Sequence, residues 1–170
     1  MNLDDAKENL LLLKSIFDKH GLRFWLYAGT LLGAVREKNF ISGDKDIDIC
    51  IFRTDLDKYI KALPDLEEAG FHDKEGYESV KEVTTNLRRN MWIKRKEAKI
   101  DIFITRFSGN CWAFGVKGKD KWHLQFPEKC CVGFDTISFL GKNFLIPKYV
   151  EEFLEFSYGK NWKTPQQWFT

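Results

Sequence analysis

Apolar residues near the amino end of the chain recur at the spacing of a helix. Between residues 4 and 20 they stand at Leu10, Leu13, Ile16 and Phe17. Apolar positions three and four residues apart form one face of a helix, and Gly21 follows at a position where helices commonly end. The pattern predicts an amphipathic helix over residues 4–20, and the aromatic-rich segment 23–28 after it predicts a strand.

Two later segments alternate between isoleucine and other residues, as half-buried strands do. Residues 46–52 carry isoleucine at 47, 49 and 51, and residues 99–105 carry it at 100, 102 and 104. Successive side chains of a strand point to opposite faces. Asp46 and Asp48 therefore share the face opposite the isoleucines, and Asp101 stands on the corresponding face of its own strand. The pattern predicts two strands that each present acidic side chains on one face.

Proline and cap residues mark further helix boundaries. Thr54 is the predicted N-cap of a helix that runs to residues 69–70, and Pro64 inside that helix is expected to kink or split it. Pro147 suits the first position of a final helix that ends at Tyr158. The chain has no internal repeat and no linker, so we expect one mixed domain of helices and strands over residues 1–170.

Composition narrows the class of protein. The chain has 170 residues, 44% of them hydrophobic, which is enough for one domain with a sizeable core. Its 27 basic and 25 acidic residues leave a net charge of only +2, so charge gives no general argument for nucleic-acid binding. No run approaches the roughly 18 apolar residues of a membrane span, and the acidic start has no apolar signal core. We therefore expect a cytoplasmic protein without a membrane span.

The cysteines do not match a common metal signature. Cys111, Cys130 and Cys131, with His123, could be assembled into a zinc site, but their spacing fits no familiar zinc pattern. Neighbouring cysteines in a strand also point apart. The sequence favours free thiols and leaves a zinc site at these cysteines as the alternative.

The aspartates indicate metal-dependent phosphate chemistry. Asp46 and Asp48 interrupt an isoleucine-rich strand that should be buried, where an unpaired carboxylate is costly. Hard oxygen ligands on one face suit Mg²⁺ (or Mn²⁺), which usually shares its shell with substrate phosphates. If the Asp101 strand lies beside this one, the third carboxylate would complete the metal site or take a proton from an attacking hydroxyl. The alternatives are a solvated strand edge for the pair, and for Asp101 a salt bridge to a nearby lysine.

Small residues ahead of the aspartates are candidates for substrate binding. Gly29 and Thr30 form a predicted turn into a short helix over residues 31–37. Such a turn presents backbone N–H groups and the positive end of the helix to an anion. Gly33 would allow either close packing or the close approach of substrate.

A basic side chain follows one helical turn later. The guanidinium of Arg36 could hold a phosphate with two parallel hydrogen bonds. The alternative for Arg36 is an ion pair with a neighbouring carboxylate, either Glu37 or Asp44. The sequence leaves both open.

Taken together, these residues resemble the LicD family, which includes bacterial phosphocholine transferases and the fukutin-related proteins. The resemblance is carried first by residues 29–36, 40–41 and 44–49. A second set of residues agrees with the closing pattern of the family: Phe139-Leu140-Gly141, Ile146-Pro147, Tyr158-Gly159 and Trp162-Lys163-Thr164-Pro165. This chain departs from the family pattern at Ser42-Gly43, where Pro-Trp is common, and at Lys45.

The resemblance implies a fold and an activity. The fold would be an α+β, nucleotidyltransferase-like mixed β-sheet flanked by helices. The activity would be the metal-dependent transfer of a phospho-alcohol, such as phosphocholine, from a CDP-activated donor to a glycan hydroxyl. The alternatives are a nucleotidyltransferase that uses an NTP on a small-molecule or protein acceptor, and an inactive nucleotide-binding domain.

The resemblance also implies roles for the candidate residues. Asp46 and Asp48 would bind Mg²⁺, and Asp101 would be the third carboxylate and the base. Gly29, Thr30 and Arg36 would bind the phosphates of the donor.

Overall fold

The computed structural model describes residues 1–72, 90–108, 111–114 and 124–165. The helices in these ranges are α1 (Leu3–Lys19), α2 (Ala28–Arg36), α3 (Leu56–Glu68) and α4 (Val150–Tyr158). The strands are β1 (Phe24–Leu26), β2 (Asp46–Phe52), β3 (Asn90–Arg95), β4 (Ala98–Ser108), β5 (Cys111–Phe114), β6 (Leu124–Gln125), β7 (Phe134–Phe139) and β8 (Lys142–Pro147).

The strands form one mixed sheet. Its order is β6-β5-β4-β2-β1-β8-β7, and β3 pairs with β4 outside this path. β2 runs parallel to β4, and β1 runs parallel to β8, whereas β2 is antiparallel to β1. The arrangement confirms the predicted α+β fold with a mixed sheet flanked by helices. It places β2 at the centre, between β1 and β4.

One hydrophobic core joins the helices to this sheet. The predicted amphipathic helix is confirmed as α1, whose apolar face is fully buried at Leu10, Leu13 and Phe17. The isoleucines of β2 and β4 are also buried in this core. Burial of each such side chain contributes about 1.5–3 kcal/mol relative to exposure, so this face of the sheet is fixed. None of the helices in the described ranges is long and apolar enough to cross a membrane.

The turn before α2 lies earlier than predicted. Helix α2 begins at Ala28, after the N-cap residue Tyr27, so Gly29 and Thr30 lie inside the first helical turn. Ala28 has a positive φ of 42° at this turn, although it is not a glycine. The change of direction occurs here because the backbone N–H of Tyr27 still donates to the carbonyl of Asp48 in β2, at 3.1 Å.

Helix α3 also differs at its start. Thr54 lies in a short 3₁₀ turn, Arg53–Asp55, and Asp55 is the N-cap residue. Pro64 does not split the helix, which continues to Glu68. Burial of residues on both sides of the proline, such as Tyr59 and Leu66, holds the helix against the core despite the missing N–H donor.

Pro147 belongs to a strand rather than to a helix. It is the last residue of β8 and pairs with Phe134 of β7. The next residue, Lys148, still donates its backbone N–H to the carbonyl of Gly133, at 3.1 Å. Helix α4 therefore begins only at Val150, and it ends at Tyr158 as predicted.

Candidate functional site

Three carboxylates meet where β2 and β4 lie side by side. In the parallel register, Asp48 stands directly opposite Asp101, and Asp46 stands opposite Lys99. One carboxylate oxygen from each of the three aspartates lies within 4.8 Å of the others. The structure thus brings together the three acidic residues that the sequence singled out. We call Asp46, Asp48 and Asp101 the carboxylate cluster.

Burial makes the carboxylate cluster electrostatically costly. Asp48 is only 9% exposed. Its burial, and then the negative charge of Asp46, raise the pKa of Asp48 to about 7. Burial also raises the pKa of Asp101. A cation would stabilise this cluster, because Asp48 and Asp101 are buried next to further negative charge.

Lys99 already places a positive charge beside the carboxylate cluster. The Nζ atom of Lys99 lies 2.8 Å from Oδ2 of Asp101 and 3.1 Å from Oδ2 of Asp46. Desolvation alone would lower the pKa of Lys99, but the two carboxylate contacts outweigh it and raise that pKa. The structure therefore shows the salt bridge between Asp101 and a lysine, which the sequence offered as the alternative to a metal site. It also shows the convergence of the three carboxylates.

Gly29 shapes the space beside the carboxylate cluster. Its backbone N–H donates to Oδ2 of Asp48 at 3.1 Å. A Cβ atom at position 29 would lie 2.6 Å from Oδ2 of Asp44. Gly29 therefore permits the close approach of Asp44.

Asp44 is a fourth carboxylate that the sequence reasoning did not count. Burial raises its pKa, and Lys45 donates its backbone N–H to the Oδ1 atom of Asp44, at 2.9 Å. The signal for it was the spacing of Asp44, Asp46 and Asp48, three aspartates each two residues apart. It was missed because Asp44 precedes the strand, where alternation does not apply.

Thr30 does not face the solution. Its side chain is fully buried, and Oγ1 accepts a hydrogen bond from the backbone N–H of Asp48 at 2.9 Å. The Thr30 hydroxyl is thus enclosed between α2 and β2, and a contact of Thr30 with donor phosphates stays a prediction. The hydrogen bond between Thr30 and Asp48 holds the backbone of β2 against α2.

Gly33 and Arg36 also make contacts within the protein. A Cβ at Gly33 would come within 2.6 Å of the backbone oxygen of Asn39, so this glycine serves close packing. Arg36 donates from Nε to Oε1 of Glu37 at 2.7 Å and from Nη1 to the carbonyl of Trp162 at 2.9 Å. Of the two alternatives for Arg36, the structure shows the ion pair with Glu37.

Tyr158 is a further polar group at this site. Burial, and then the negative charges of Asp48 and Asp44, raise the pKa of its phenol to about 12. Tyr158 is therefore protonated at neutral pH and can donate a hydrogen bond. The sequence offered Tyr158 as the end of the final helix and as part of the closing family pattern, and not as a site residue.

Among the residues of the zinc alternative, the structure describes the side chains of Cys130 and Cys131. The thiols of Cys130 and Cys131 are buried, and burial raises the pKa of Cys130. The side chain of Cys111 and the whole of His123 lie outside the described residues. Within the described part of the chain, the carboxylate cluster is the group of acidic, histidine or cysteine donors that converges as a metal site requires.

Solved structures share this architecture at low sequence identity. The chain has a TM-score of 0.59 and 12% identity to ANT(2")-Ia in complex with adenylyl-2"-tobramycin, over 89% of this chain and 74% of that one. It has a TM-score of 0.56 and 13% identity to the lincosamide antibiotic adenylyltransferase LnuA, over 86% of this chain and 83% of that one. These neighbours show a nucleotidyltransferase fold.

Relatives in sequence cover nearly the whole chain. The chain is 31% identical over 163 residues to the ribitol-5-phosphate transferase FKTN of Macaca fascicularis, and 26% identical over 162 residues to the ribitol 5-phosphate transferase FKRP of Mus musculus. The alignments cover 94% and 90% of this chain but only 33% and 31% of those proteins, so the chain spans about a third of their length. Residues 21–149 match the family model of the LicD/FKTN/FKRP nucleotidyltransferase domain. The chain therefore belongs to the LicD/FKTN/FKRP family.

Proposed function

We propose that this domain is a metal-dependent transferase that moves a phospho-alcohol from a CDP-activated donor to a hydroxyl group of a glycan. The observation that carries the proposal is the carboxylate cluster, formed by neighbouring strands of a LicD-family domain. The FKTN and FKRP relatives are named ribitol 5-phosphate transferases, which favours ribitol 5-phosphate over phosphocholine as the transferred group.

The donor atoms of the cluster fit a divalent cation such as Mg²⁺ or Mn²⁺. Asp46, Asp48 and Asp101 offer hard oxygen ligands within 4.8 Å of one another, and Mg²⁺ is commonly held by one or two carboxylates together with substrate phosphates. When bound, such a cation neutralises charge that develops on the donor phosphates.

Residues of the chain have separate roles in the transfer step. In the proposed reaction, the acceptor oxygen forms a bond to the phosphorus that bears the alcohol, and the phosphoanhydride bond to CMP breaks. Asp101 takes the proton of the acceptor hydroxyl, a role that its raised pKa suits. Tyr158, protonated at neutral pH, donates a hydrogen bond to a donor oxygen. Gly29 and Thr30 act through their bonds to Asp48, which they hold in place.

Product analysis tests the proposal. The protein is incubated with Mg²⁺ or Mn²⁺ and, in turn, CDP-ribitol, CDP-choline, CTP and ATP, with sugars or water as acceptors. Release of CMP from a CDP-alcohol supports phospho-alcohol transfer. Release of pyrophosphate from an NTP would identify a nucleotidyltransferase instead, and metal-dependent nucleotide binding without turnover would identify an inactive binding domain.

Variants locate the activity. We expect Asp101→Asn to lower the rate of CMP release by about 10²–10⁴-fold, since it removes the base. We expect Asp48→Asn to abolish the metal dependence of binding. Asp135→Asn is the matched control, because Asp135 is an exposed aspartate on β7. Full activity in both site variants would disprove the assignment of the carboxylate cluster.

A further inference from the structure

Lys99 lies between two of the aspartates of the carboxylate cluster. Its Nζ atom bridges Asp101 at 2.8 Å and Asp46 at 3.1 Å, and thus joins β4 to β2 across the carboxylate cluster. We propose that Lys99 is a built-in counter-cation, which a divalent cation displaces from the cluster and whose freed ammonium then binds a phosphate of the donor. The proposal rests on the proposed function and adds a residue and a role to it.

The strand register explains why Lys99 reaches this position. Lys99 is two residues before Asp101 in β4, so both side chains point to the same face. It is also the direct partner of Asp46 in the parallel pairing of β2 and β4. The ion pairs therefore follow from the backbone geometry of the sheet.

The ammonium and a divalent cation cannot occupy the cluster together at close range. Oxygen ligands lie about 2.0–2.1 Å from Mg²⁺, and a cation bound to Asp46 and Asp101 would stand next to the present position of Nζ. Like charges repel strongly at such a separation in a partly buried site. Lys99 has a flexible four-carbon stem and a side chain that is 37% exposed, so it can move outward.

Displacement brings the ammonium towards the substrate. A protein-bound Mg²⁺ usually completes its shell with substrate phosphates, so a donor phosphate would lie beside the metal, within reach of the displaced side chain. A lysine ammonium is a compact point charge that suits phosphate binding. Lys99 would thus neutralise the cluster before metal binds and the donor afterwards.

Lys94 provides a matched control on the neighbouring strand. It pairs with Lys99 across β3 and β4, and cross-strand partners lie on the same face. Its side chain is 40% exposed, similar to that of Lys99, and its Nζ lies 3.9 Å from Glu97. Lys94→Met therefore removes one positive charge from the same face without touching an ion pair of the cluster.

Mn²⁺ titration of the full chain, followed by electron paramagnetic resonance of free Mn²⁺, tests the competition. We expect the dissociation constant of Mn²⁺ to be at least about fivefold lower in Lys99→Met than in the wild type. Lys94→Met should have the same dissociation constant as the wild type. Lys99→Gln serves as the second variant if Lys99→Met does not fold. Unchanged or weaker Mn²⁺ affinity in the Lys99 variant, or an equal gain in Lys94→Met, would overturn the proposal.

CDP binding at saturating Mn²⁺ tests the second part. We expect the dissociation constant of CDP to rise about tenfold in Lys99→Met and to stay unchanged in Lys94→Met. Equal CDP affinity in all three proteins would overturn the phosphate-binding role. The metal site and the proposed function fail if Mn²⁺ binding is absent, or if it persists in Asp48→Asn. If the wild type binds Mn²⁺ and Asp48→Asn does not, but Lys99→Met has the same Mn²⁺ affinity as the wild type, only the role of Lys99 fails.

Discussion

Two glycines of α2 exclude a side chain for different reasons. At Gly29 the nearest atom to an added Cβ is Oδ2 of Asp44, the end of a side chain, at 2.6 Å. At Gly33 it is the backbone oxygen of Asn39, also at 2.6 Å. A side chain can turn aside, whereas a backbone carbonyl moves only with its loop. The same substitution should therefore affect the site at one glycine and the stability of the fold at the other.

Alanine substitution separates these two effects. Gly→Ala inside a helix gains roughly 0.5–1 kcal/mol in stability, and overpacking against fixed atoms costs roughly 1–3 kcal/mol. We expect Gly33→Ala to lower the free energy of unfolding by about 1–2 kcal/mol and Gly29→Ala to leave it nearly unchanged. Gly29→Ala should instead weaken Mn²⁺ binding, because it pushes Asp44 aside next to Asp48. Urea unfolding and Mn²⁺ titration measure the two effects, and a larger stability loss in Gly29→Ala would contradict this view.

At the scale of elements, ion pairs join the end of α1 to α3. Asp65 of α3 accepts contacts from Nζ of Lys19 and Nε2 of His20, each at 2.7 Å from Oδ2. Lys19 and His20 lie at the C-terminal end of α1, where positive charge also interacts favourably with the helix dipole. The two contacts thus support the packing of α1 against α3.

The pH dependence of this contact has a definite sign. Hydrogen bonds from Lys19 and then from His20 lower the pKa of Asp65 below its ordinary value of 3.8. A carboxylate with a lowered pKa in the folded state contributes stability above the ordinary pKa, and this contribution is lost as the pH falls through the lowered value. We therefore expect Asp65→Asn to be less stable than the wild type at pH 7 and pH 5, with a difference that shrinks below pH 3.8.

Urea unfolding at pH 7, 5 and 3 checks this expectation. Asp57→Asn is the control, because Asp57 is an exposed aspartate on the same helix. A stability difference between Asp65→Asn and the wild type that grows towards pH 3 would contradict the stated role of the ion pair.

At the scale of the whole molecule, distant parts of the chain complete the surroundings of the carboxylate cluster. Trp162, beyond α4, is only 6% exposed and belongs to the core, and its carbonyl accepts a hydrogen bond from Arg36 of α2. Tyr158 at the end of α4 lies where the charges of Asp48 and Asp44 act on it. The segment after the last strand is therefore part of the packed fold beside the site.

Truncation of Trp162 tests this packing. We expect Trp162→Ala to lower the free energy of unfolding by about 3 kcal/mol, as for large buried aromatic residues, and Trp162→Phe to cost less than about 1.5 kcal/mol. The hydrogen bond from Arg36 goes to the backbone and should survive in both variants. Thermal unfolding measures the difference, and a Trp162→Ala variant as stable as the wild type would show that the segment does not pack against the core in solution.

The sequence by itself determined the local features of this protein. The alternation of isoleucine with other residues placed Asp46 and Asp48 on one strand and on one face, because the side-chain period of a strand is local. The helical spacing of apolar residues gave α1 for the same reason. The motif at residues 29–49 indicated the LicD family, which the comparisons confirm.

Only the tertiary structure decided which of these features meet. Asp101 stands opposite Asp48 because β4 pairs in parallel with β2, a contact between residues more than fifty positions apart. The enclosure of Thr30, the bond from Arg36 to Trp162 and the ion pair of Lys99 with Asp46 likewise depend on neighbours from other segments of the chain. Periodicity reports the face on which a side chain lies, whereas strand order and packing determine which groups it meets there.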